Sequence, residues 1–233
     1  MKPAGWPRAV LFDLDGTLVD SAPDIAEALN ETLESYGHPP LTLEAVTKMV
    51  GRGVDVLVER AYGALGLEID PATRERVVDR YVKLYEARAT QSTVLMAGVS
   101  DLLRDLKEKG VPLGVVTNKP GEATRAVLDH FRLGELMAVV VGGDAGPALK
   151  PEPGLLLHAC EALGFAPSDV VFVGDSENDV LAARAAGMPI VAVAGGYTEL
   201  TPEALGADAA IERLDELPAA ILALAEGEGA PEV

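Results

Sequence analysis

The sequence predicts an α/β fold in which helices cover both faces of a parallel sheet and an all-helical cap is inserted after the first strand. A short apolar run, Ala9–Phe12, precedes an almost wholly helical block that extends from Asp20 to about Arg88. From Gly98 onward, short apolar runs alternate with helical patterns. Such alternation is typical of a parallel sheet covered on both faces. We therefore expect residues 1–18 and 90–233 to form the core and residues 19–89 to form the cap.

The elements of the core follow from its apolar runs and from the segments between them. Strands are predicted at Ala9–Phe12, Leu113–Thr117, Ala138–Val141, Val170–Val173, Ile190–Val193 and Ala209–Ile211. Helices are predicted to begin near Val99, Gly121, Pro153, Glu177 and Leu214. The acidic, glycine-containing segment 225–230 predicts a frayed tail.

The cap is predicted to be wholly helical, because no convincing strand interrupts its pattern. Three apolar stripes at helical spacing run from Ala22 to Tyr36, from Val54 to Leu65 and from Val77 to Tyr85. Ser21 followed by Asp24 predicts a capping box at the start of the first helix.

The composition excludes several classes of partner. A formal net charge of −18 repels nucleic-acid phosphates and anionic membranes. No apolar run is long enough to span a bilayer, and the first residues lack the apolar middle of a secretory signal. The single cysteine, Cys160, lies among leucines at helical spacing and is predicted to fill the core. We expect a cytoplasmic protein that is a monomer or a homodimer.

The first strand runs directly into Asp13-Leu14-Asp15-Gly16-Thr17. Two carboxylates two residues apart on an extended segment point to the same side, and Gly16 lets the chain turn away from them. Like charges held so close need a proton or a cation between them. An exposed turn would have the same composition. This segment alone is therefore either an ordinary turn or a reaction centre.

Other strand ends add groups to the same edge of the sheet, where parallel sheets bind ligands. Thr117-Asn118-Lys119 follows the second strand of the core, Lys150-Pro151 follows the third, and Asp175 and Asp179 follow the fourth. Hard oxygen ligands of this kind suit Mg²⁺, and no Cys or His set has the spacing for zinc. A carboxylate beside Mg²⁺ can attack phosphorus, and a second carboxyl group can protonate the leaving oxygen. Thr117, Asn118 and Lys150 would donate to the phosphoryl oxygens. Lys119 is predicted at the helix start or the rim.

The four strand-end motifs together resemble those of the haloacid dehalogenase superfamily, in the same order and over nearly the whole chain. The resemblance implies a Rossmann-like core, with Asp13 as nucleophile, Asp15 as general acid and base, and Lys150 as stabiliser of nucleophile and phosphate. It also implies that Mg²⁺ is held by Asp13, the backbone carbonyl of Asp15, and Asp175. Asp179 would be a partner of Lys150 or of the metal's waters. The presence of Asp15 implies phosphoryl transfer, because the hydrolytic dehalogenases lack this second carboxylate.

Segments 16–25, 50–54, 117–120 and 174–179 are further similar to the bacterial phosphoglycolate phosphatase subgroup, which implies 2-phosphoglycolate as the substrate. Arg52, between Gly51 and Gly53, departs from the smaller polar residue expected there. Its guanidinium either pairs with a substrate carboxylate over the site or is a solvated helix-start arginine.

Three enzymatic alternatives remain: a β-phosphoglucomutase-like phosphomutase, a pyrophosphatase and a sugar-acid phosphate phosphatase. A phospho-ligand-binding regulatory protein would share the fold, but the complete set of reactive groups favours an enzyme.

Overall fold

The computed structural model describes residues 2, 5–146 and 148–227. Its strands are β1 (Ala9–Phe12), β2 (Val19–Asp20), β3 (Val94–Leu95), β4 (Leu113–Val116), β5 (Met137–Val141), β6 (Val170–Gly174), β7 (Ile190–Val193) and β8 (Ala209–Ile211). Its helices are α1 (Ala22–Ser35), α2 (Leu43–Thr47), α3 (Val54–Ala64), α4 (Pro71–Glu86), α5 (Val99–Glu108), α6 (Gly121–His130), α7 (Gly154–Leu163), α8 (Glu177–Ala186) and α9 (Leu217–Glu226).

Six strands form one parallel sheet in the order β5-β4-β1-β6-β7-β8. The predicted Rossmann-like core is thus confirmed. β1 is central, with Phe12 opposite Val115 on one side and Val173 on the other. After β1 the chain adds β4 and β5 on one side of it and then crosses to add β6, β7 and β8 on the other side. The carboxyl end of β1 therefore lies where the strand order reverses. Open sheets bind ligands at such a point.

The sheet is buried on both faces, which explains why its strands are apolar throughout. Val10 and Phe12 belong to a core that continues into the cap, whereas Ala9 and Leu11 belong to a second core under α7 and α8. Cys160 lies in this second core, as predicted. Among the described residues, no helix has both the length and the hydropathy that a membrane crossing requires.

The cap segment contains the three predicted helices and one that was not predicted. The additional helix, α2, has five residues, and the Thr42 side chain at its start accepts a hydrogen bond from Ala45 N at 3.2 Å. β2 and β3 were also missed. They pair antiparallel where the chain enters and leaves the cap, and two residues are too few to produce a strand pattern. The proposed boundaries, 18/19 and 89/90, fall beside this ladder.

The predicted capping box at α1 is wrong. The Ser21 hydroxyl instead donates to Asp15 Oδ1 at 2.6 Å. Asp24 is fully buried and accepts hydrogen bonds from the backbone of Ser92 and from the backbone and hydroxyl of Thr93. Asp24 therefore connects the entry of the cap to its exit, whereas Ser21 bonds back to the first motif.

Smaller differences concern element ends. β4 ends at Val116, one residue before the predicted end at Thr117, and β6 continues to Gly174. The helix predicted near Leu214 begins with a 3-10 turn at 214–216, which α9 follows. The segment 225–230 was predicted to fray, but residues 225 and 226 belong to α9. Residues 228–230 of that segment lie outside the described part of the chain.

Candidate active site

Asp13 and Asp15 lie at the carboxyl end of β1, where Asp13 N donates to Val173 O at 2.9 Å. The turn that follows requires glycine for two reasons. Gly16 has a φ of +88°, and a Cβ atom on it would lie 2.6 Å from Asp175 Oδ2. The turn therefore brings the backbone of the first motif against the carboxylate of the fourth.

Lys150 is buried between two carboxylates. Its Nζ lies 2.8 Å from Asp13 Oδ1 and 2.6 Å from Asp179 Oδ1, and it donates to Val116 O at 3.1 Å. Burial by itself would lower the pKa of Lys150, but the charges of Asp13 and Asp179 raise it above its ordinary value. The lysine is thus held as a cation beside the first motif.

Asp175 and Asp179 are positioned by the turn between β6 and α8. Asp175 accepts from the Thr17 hydroxyl at 2.9 Å and from Tyr197 N at 2.8 Å. Asp179 caps α8 with Ser176 in a reciprocal capping box, and its Oδ2 accepts from the Ser176 hydroxyl at 2.6 Å. Asp179 is therefore both a first-turn helix residue and a partner of Lys150, the two interpretations that the sequence left open.

The carboxylates of Asp13, Asp175 and Asp179 are close enough together to suit a divalent cation, although Asp179 is already engaged by Lys150 and Ser176. One oxygen of each lies within 4.8 Å of the others. Asp13 Oδ1 is buried and, within the described part of the chain, makes no hydrogen bond of good geometry, although Lys150 Nζ is close to it. Desolvation by burial, helped by neighbouring carboxylates and opposed by Lys150, raises the pKa of Asp13 to about 6. Burial and the charges of Asp179 and Asp13 also raise the pKa of Asp175 well above its ordinary value. A bound cation would relieve both effects.

Lys119 lies just before the start of α6, one of the two places that the sequence predicted, but it is buried against Asp15 and not exposed at the rim. Its Nζ donates to the two carboxylate oxygens of Asp15 at 2.8 and 2.9 Å, and its side chain is 3% exposed. The ammonium also lies 4.6 Å from the centroid of the Tyr85 ring. The sequence contained a signal for this contact with Asp15. Lys119 belongs to the segment Thr117-Asn118-Lys119, which follows β4 and therefore lies at the same edge of the sheet as Asp15.

Thr117 and Asn118 both reach the site, but they are engaged differently. Thr117 is buried, and its hydroxyl accepts from Lys119 N at 3.2 Å. Asn118 Nδ2 donates to Gly51 O at 2.9 Å and to Lys150 O at 2.8 Å. Since both hydrogens of this amide are used, the Asn118 side chain connects the cap loop to the Lys150 loop rather than presenting a donor to a ligand.

Two cavities adjoin Asp13 and Asp15. The cap cavity, of ≈ 60 Å³, is lined toward the cap by Ile25, Val50, Gly51, Gly53, Val54, Leu57, Tyr81, Val82, Tyr85 and Glu86. The rim cleft is lined by polar groups that include Lys48, Arg52, Arg60, Asp175, Glu177 and Tyr197. Arg52 is exposed and lines only the rim cleft of these two.

Tyr197 is a site residue that the sequence reasoning did not assign. Its hydroxyl accepts from the backbone of Ser21 at 2.7 Å and of Ala22 at 2.9 Å, and donates to Asp20 at 2.9 Å. Its backbone donates to Asp175. Tyr197 thus joins the candidate metal site to the strand that enters the cap, and its position after β7, at the same sheet edge, was the available signal.

The fold and this strand-end site define the class of protein. A family model described as haloacid dehalogenase-like hydrolase matches residues 10–193, so the chain belongs to this family. It is a phosphoric monoester hydrolase, as the motifs predicted.

The chain is similar to particular members of the family. It is 41% identical to the phosphoglycolate phosphatase of Caulobacter vibrioides over 222 residues, which are 95% of this chain and 94% of that protein. It is also 41% identical to the phosphoglycolate phosphatase of Pseudomonas putida, over 86% of this chain and 74% of that protein. A crystal structure of a predicted phosphoglycolate phosphatase from Haemophilus somnus superposes with a TM-score of 0.85 at 30% identity, covering 91% of this chain and 96% of that one.

Proposed function

We propose that this phosphatase hydrolyses 2-phosphoglycolate with the help of Mg²⁺, through an aspartyl phosphate on Asp13. The observation that carries the proposal is the placement of Lys150 between Asp13 and Asp179, beside the buried carboxylate of Asp175. This arrangement keeps a carboxylate nucleophile next to a fixed cation and next to oxygens that suit a divalent ion.

In the first step, an Asp13 carboxylate oxygen forms a bond to phosphorus while the bond from phosphorus to the leaving oxygen breaks. Asp15 gives its proton to that oxygen, and the alcohol departs. In the second step, Asp15 takes a proton from water, whose oxygen attacks phosphorus. The aspartyl phosphate is cleaved, and Asp13 and inorganic phosphate are released.

The remaining groups position the phosphate and its charge. Lys150 and the Thr117 hydroxyl would donate to the phosphoryl oxygens as charge builds up on them. The Asp13 and Asp175 carboxylates and the backbone carbonyl of Asp15 would hold Mg²⁺, which, when bound, neutralises phosphate charge. Asp179 would act through Lys150, and Arg52 would attract the anionic substrate at the rim cleft.

The choice of 2-phosphoglycolate rests on the relatives that bear this name and on the small cap cavity beside Asp15. A cavity of ≈ 60 Å³ has room for only a few atoms of a leaving group. Closure of the cap would exclude water from the phosphoryl transfer.

The test is phosphate release from 2-phosphoglycolate and from a panel of other esters, for the wild type and for Asp13→Asn. We expect 2-phosphoglycolate to give the highest kcat/KM. We also expect Asp13→Asn to abolish turnover, because the amide is not a nucleophile, and EDTA to abolish it in a way that Mg²⁺ reverses. Turnover by Asp13→Asn would contradict the covalent step, and an isomerised sugar phosphate as product would indicate a phosphomutase.

A further inference from the structure

We infer that Lys119 determines substrate specificity by binding a carboxylate of the leaving group in the cap cavity. The inference rests on the proposed function, because it requires the leaving oxygen to lie against Asp15. Beyond the proposed function, the inference names the residue that recognises the carboxylate of the substrate, Lys119, and the place where it does so, the cap cavity.

The cap cavity contains few groups that can recognise an anion. Its cap side is formed by aliphatic and aromatic side chains of α1, α3, α4 and the loop before α3, and by one exposed carboxylate, Glu86 of α4. Among the described residues that line it, Lys119 supplies the one cationic side chain. Because the Lys119 side chain is only 3% exposed, a charge contact with it is screened less by solvent than the same contact at the surface.

Among the described residues, Lys119 uses only two of its three ammonium hydrogens in hydrogen bonds. An ammonium has three hydrogens, and two of them are directed to the two oxygens of Asp15. The third is left for a ligand in the cavity. The aromatic face of Tyr85 lies on another side of the ammonium and restricts where it can move.

Tyr85 supplies a second, independent observation. It also lines the cap cavity and is 4% exposed. Within the described residues its hydroxyl is buried and has no hydrogen-bond partner. Buried hydroxyl groups are rarely left unpaired, so this group also calls for a ligand atom in the cavity.

The chemistry of the reaction places the ligand atom near both groups. The leaving oxygen takes its proton from Asp15, which is in contact with Lys119. In a 2-hydroxy acid ester, one carbon separates that oxygen from the carboxylate. The carboxylate therefore falls beside the ammonium, whereas Arg52 lies in the rim cleft, is exposed and would contribute less.

The experiment compares kcat/KM for 2-phosphoglycolate and for ethyl phosphate, which has the same leaving oxygen but no carboxylate. We expect Lys119→Met to lower kcat/KM for 2-phosphoglycolate about ten- to a hundredfold more than for ethyl phosphate, and Tyr85→Phe to show a smaller loss of the same kind. Lys119→Arg should recover part of the preference. Lys83→Met, an exposed lysine on α4, is the matched control and should leave both values unchanged.

A binding measurement keeps the inference testable if Lys119→Met loses all turnover. In an Asp13→Asn background, calorimetry should show weaker binding of 2-phosphoglycolate, but not of ethyl phosphate, when Lys119 is also replaced. Equal loss for both esters would overturn the inference and leave Lys119 with a role through Asp15 alone. A selective loss in Arg52→Met instead of Lys119→Met would also overturn it. If the Mg²⁺-loaded wild type hydrolyses neither ester, the proposed function itself fails.

Discussion

The two aspartates of the first motif each have a lysine, but the two pairs occupy different parts of the molecule. Lys150 lies inside the core, between Asp13, Asp179 and the backbone of β4. Lys119 pairs with Asp15 and faces Tyr85 of the cap. The difference indicates that the proposed nucleophile, Asp13, and its lysine are held by the core alone. The groups proposed to choose the leaving group lie between core and cap.

The cap side is held by contacts that a moving cap could exchange. Asn118 contacts the cap loop at Gly51, and the Tyr197 hydroxyl contacts the entry to α1. In contrast, Lys150 and Asp179 contact only the core among their described partners. We therefore expect variants of Lys150 and Asp179 to affect chemistry and stability. Variants of Lys119 and Tyr85 should affect mainly selectivity, whereas Asp15 itself serves the chemistry as the proposed acid and base.

The largest expected effect is that of Lys150→Met. It would leave two buried carboxylates without their cation, which destabilises the fold by about 3–5 kcal/mol. It would also reduce turnover about 10²- to 10³-fold. Denaturant unfolding and phosphate-release assays measure the two effects. Lys119→Met should destabilise less, because it leaves one carboxylate that still accepts from Ser21. Equal destabilisation by the two variants would remove the distinction between the two sides.

The next effect concerns pH and the metal-free protein. Burial raises the pKa of Asp13 from its ordinary 3.8 to about 6. The folded protein thus binds this proton more tightly than the unfolded chain does. The protonated Asp13 carboxyl group therefore contributes on the order of 3 kcal/mol to the free energy of unfolding. This contribution is complete below about pH 4 and is lost as the pH rises through about 6.

Urea unfolding in EDTA, from about pH 4 to pH 7, should therefore show Asp13→Asn becoming more stable relative to the wild type as the pH rises. Adding Mg²⁺ at the highest pH should stabilise the wild type, since a ligand that binds only the folded state raises its stability. A difference between wild type and variant that does not change with pH would contradict this assignment.

The smallest expected effect is a difference in Mg²⁺ affinity between variants of the neighbouring residues Gly196 and Tyr197. A Cβ atom on Gly196 would lie 2.1 Å from Asp175 Oδ2, so Gly196→Ala should displace that carboxylate and weaken Mg²⁺ binding about tenfold or more. Tyr197→Phe keeps the backbone contact to Asp175 and loses only the hydroxyl contacts to the cap entry. It should destabilise by about 1 kcal/mol and leave Mg²⁺ affinity unchanged.

Calorimetric titration of Mg²⁺ into Gly196→Ala and into Tyr197→Phe measures this difference in affinity. Gly63→Ala is a matched control for the glycine change, because a Cβ atom there meets nothing within 4 Å. Equal losses of Mg²⁺ affinity in Gly196→Ala and Tyr197→Phe would mean that the cap entry and the candidate metal site are not separable.

By itself, the sequence determined the class of fold and the edge of the sheet where the site lies. Apolar strands that alternate with helices specify a parallel sheet, and the carboxyl ends of its strands meet at one edge. Asp13, Lys150 and Asp175 could therefore be expected together, although long stretches of chain separate them. Asp13 and Asp175 directly follow recognisable strands, whereas Lys150 lies beyond a glycine-rich loop after β5 and was assigned from the resemblance of Lys150-Pro151 to the third motif of the family.

Only the tertiary structure decided which groups pair across the boundary between core and cap. Lys119 was expected at the helix start or the rim; it lies just before α6, and its side chain is buried against Asp15. Ser21 and Asp24 were expected to cap a helix but bind Asp15 and Thr93. Local spacing predicts contacts within an element, whereas Lys119 and Asp24 pair through the packing of segments far apart in the chain, and Ser21 pairs through the turn that follows β1. Such contacts leave no periodic pattern in the sequence, and for that reason they became visible only in the folded molecule.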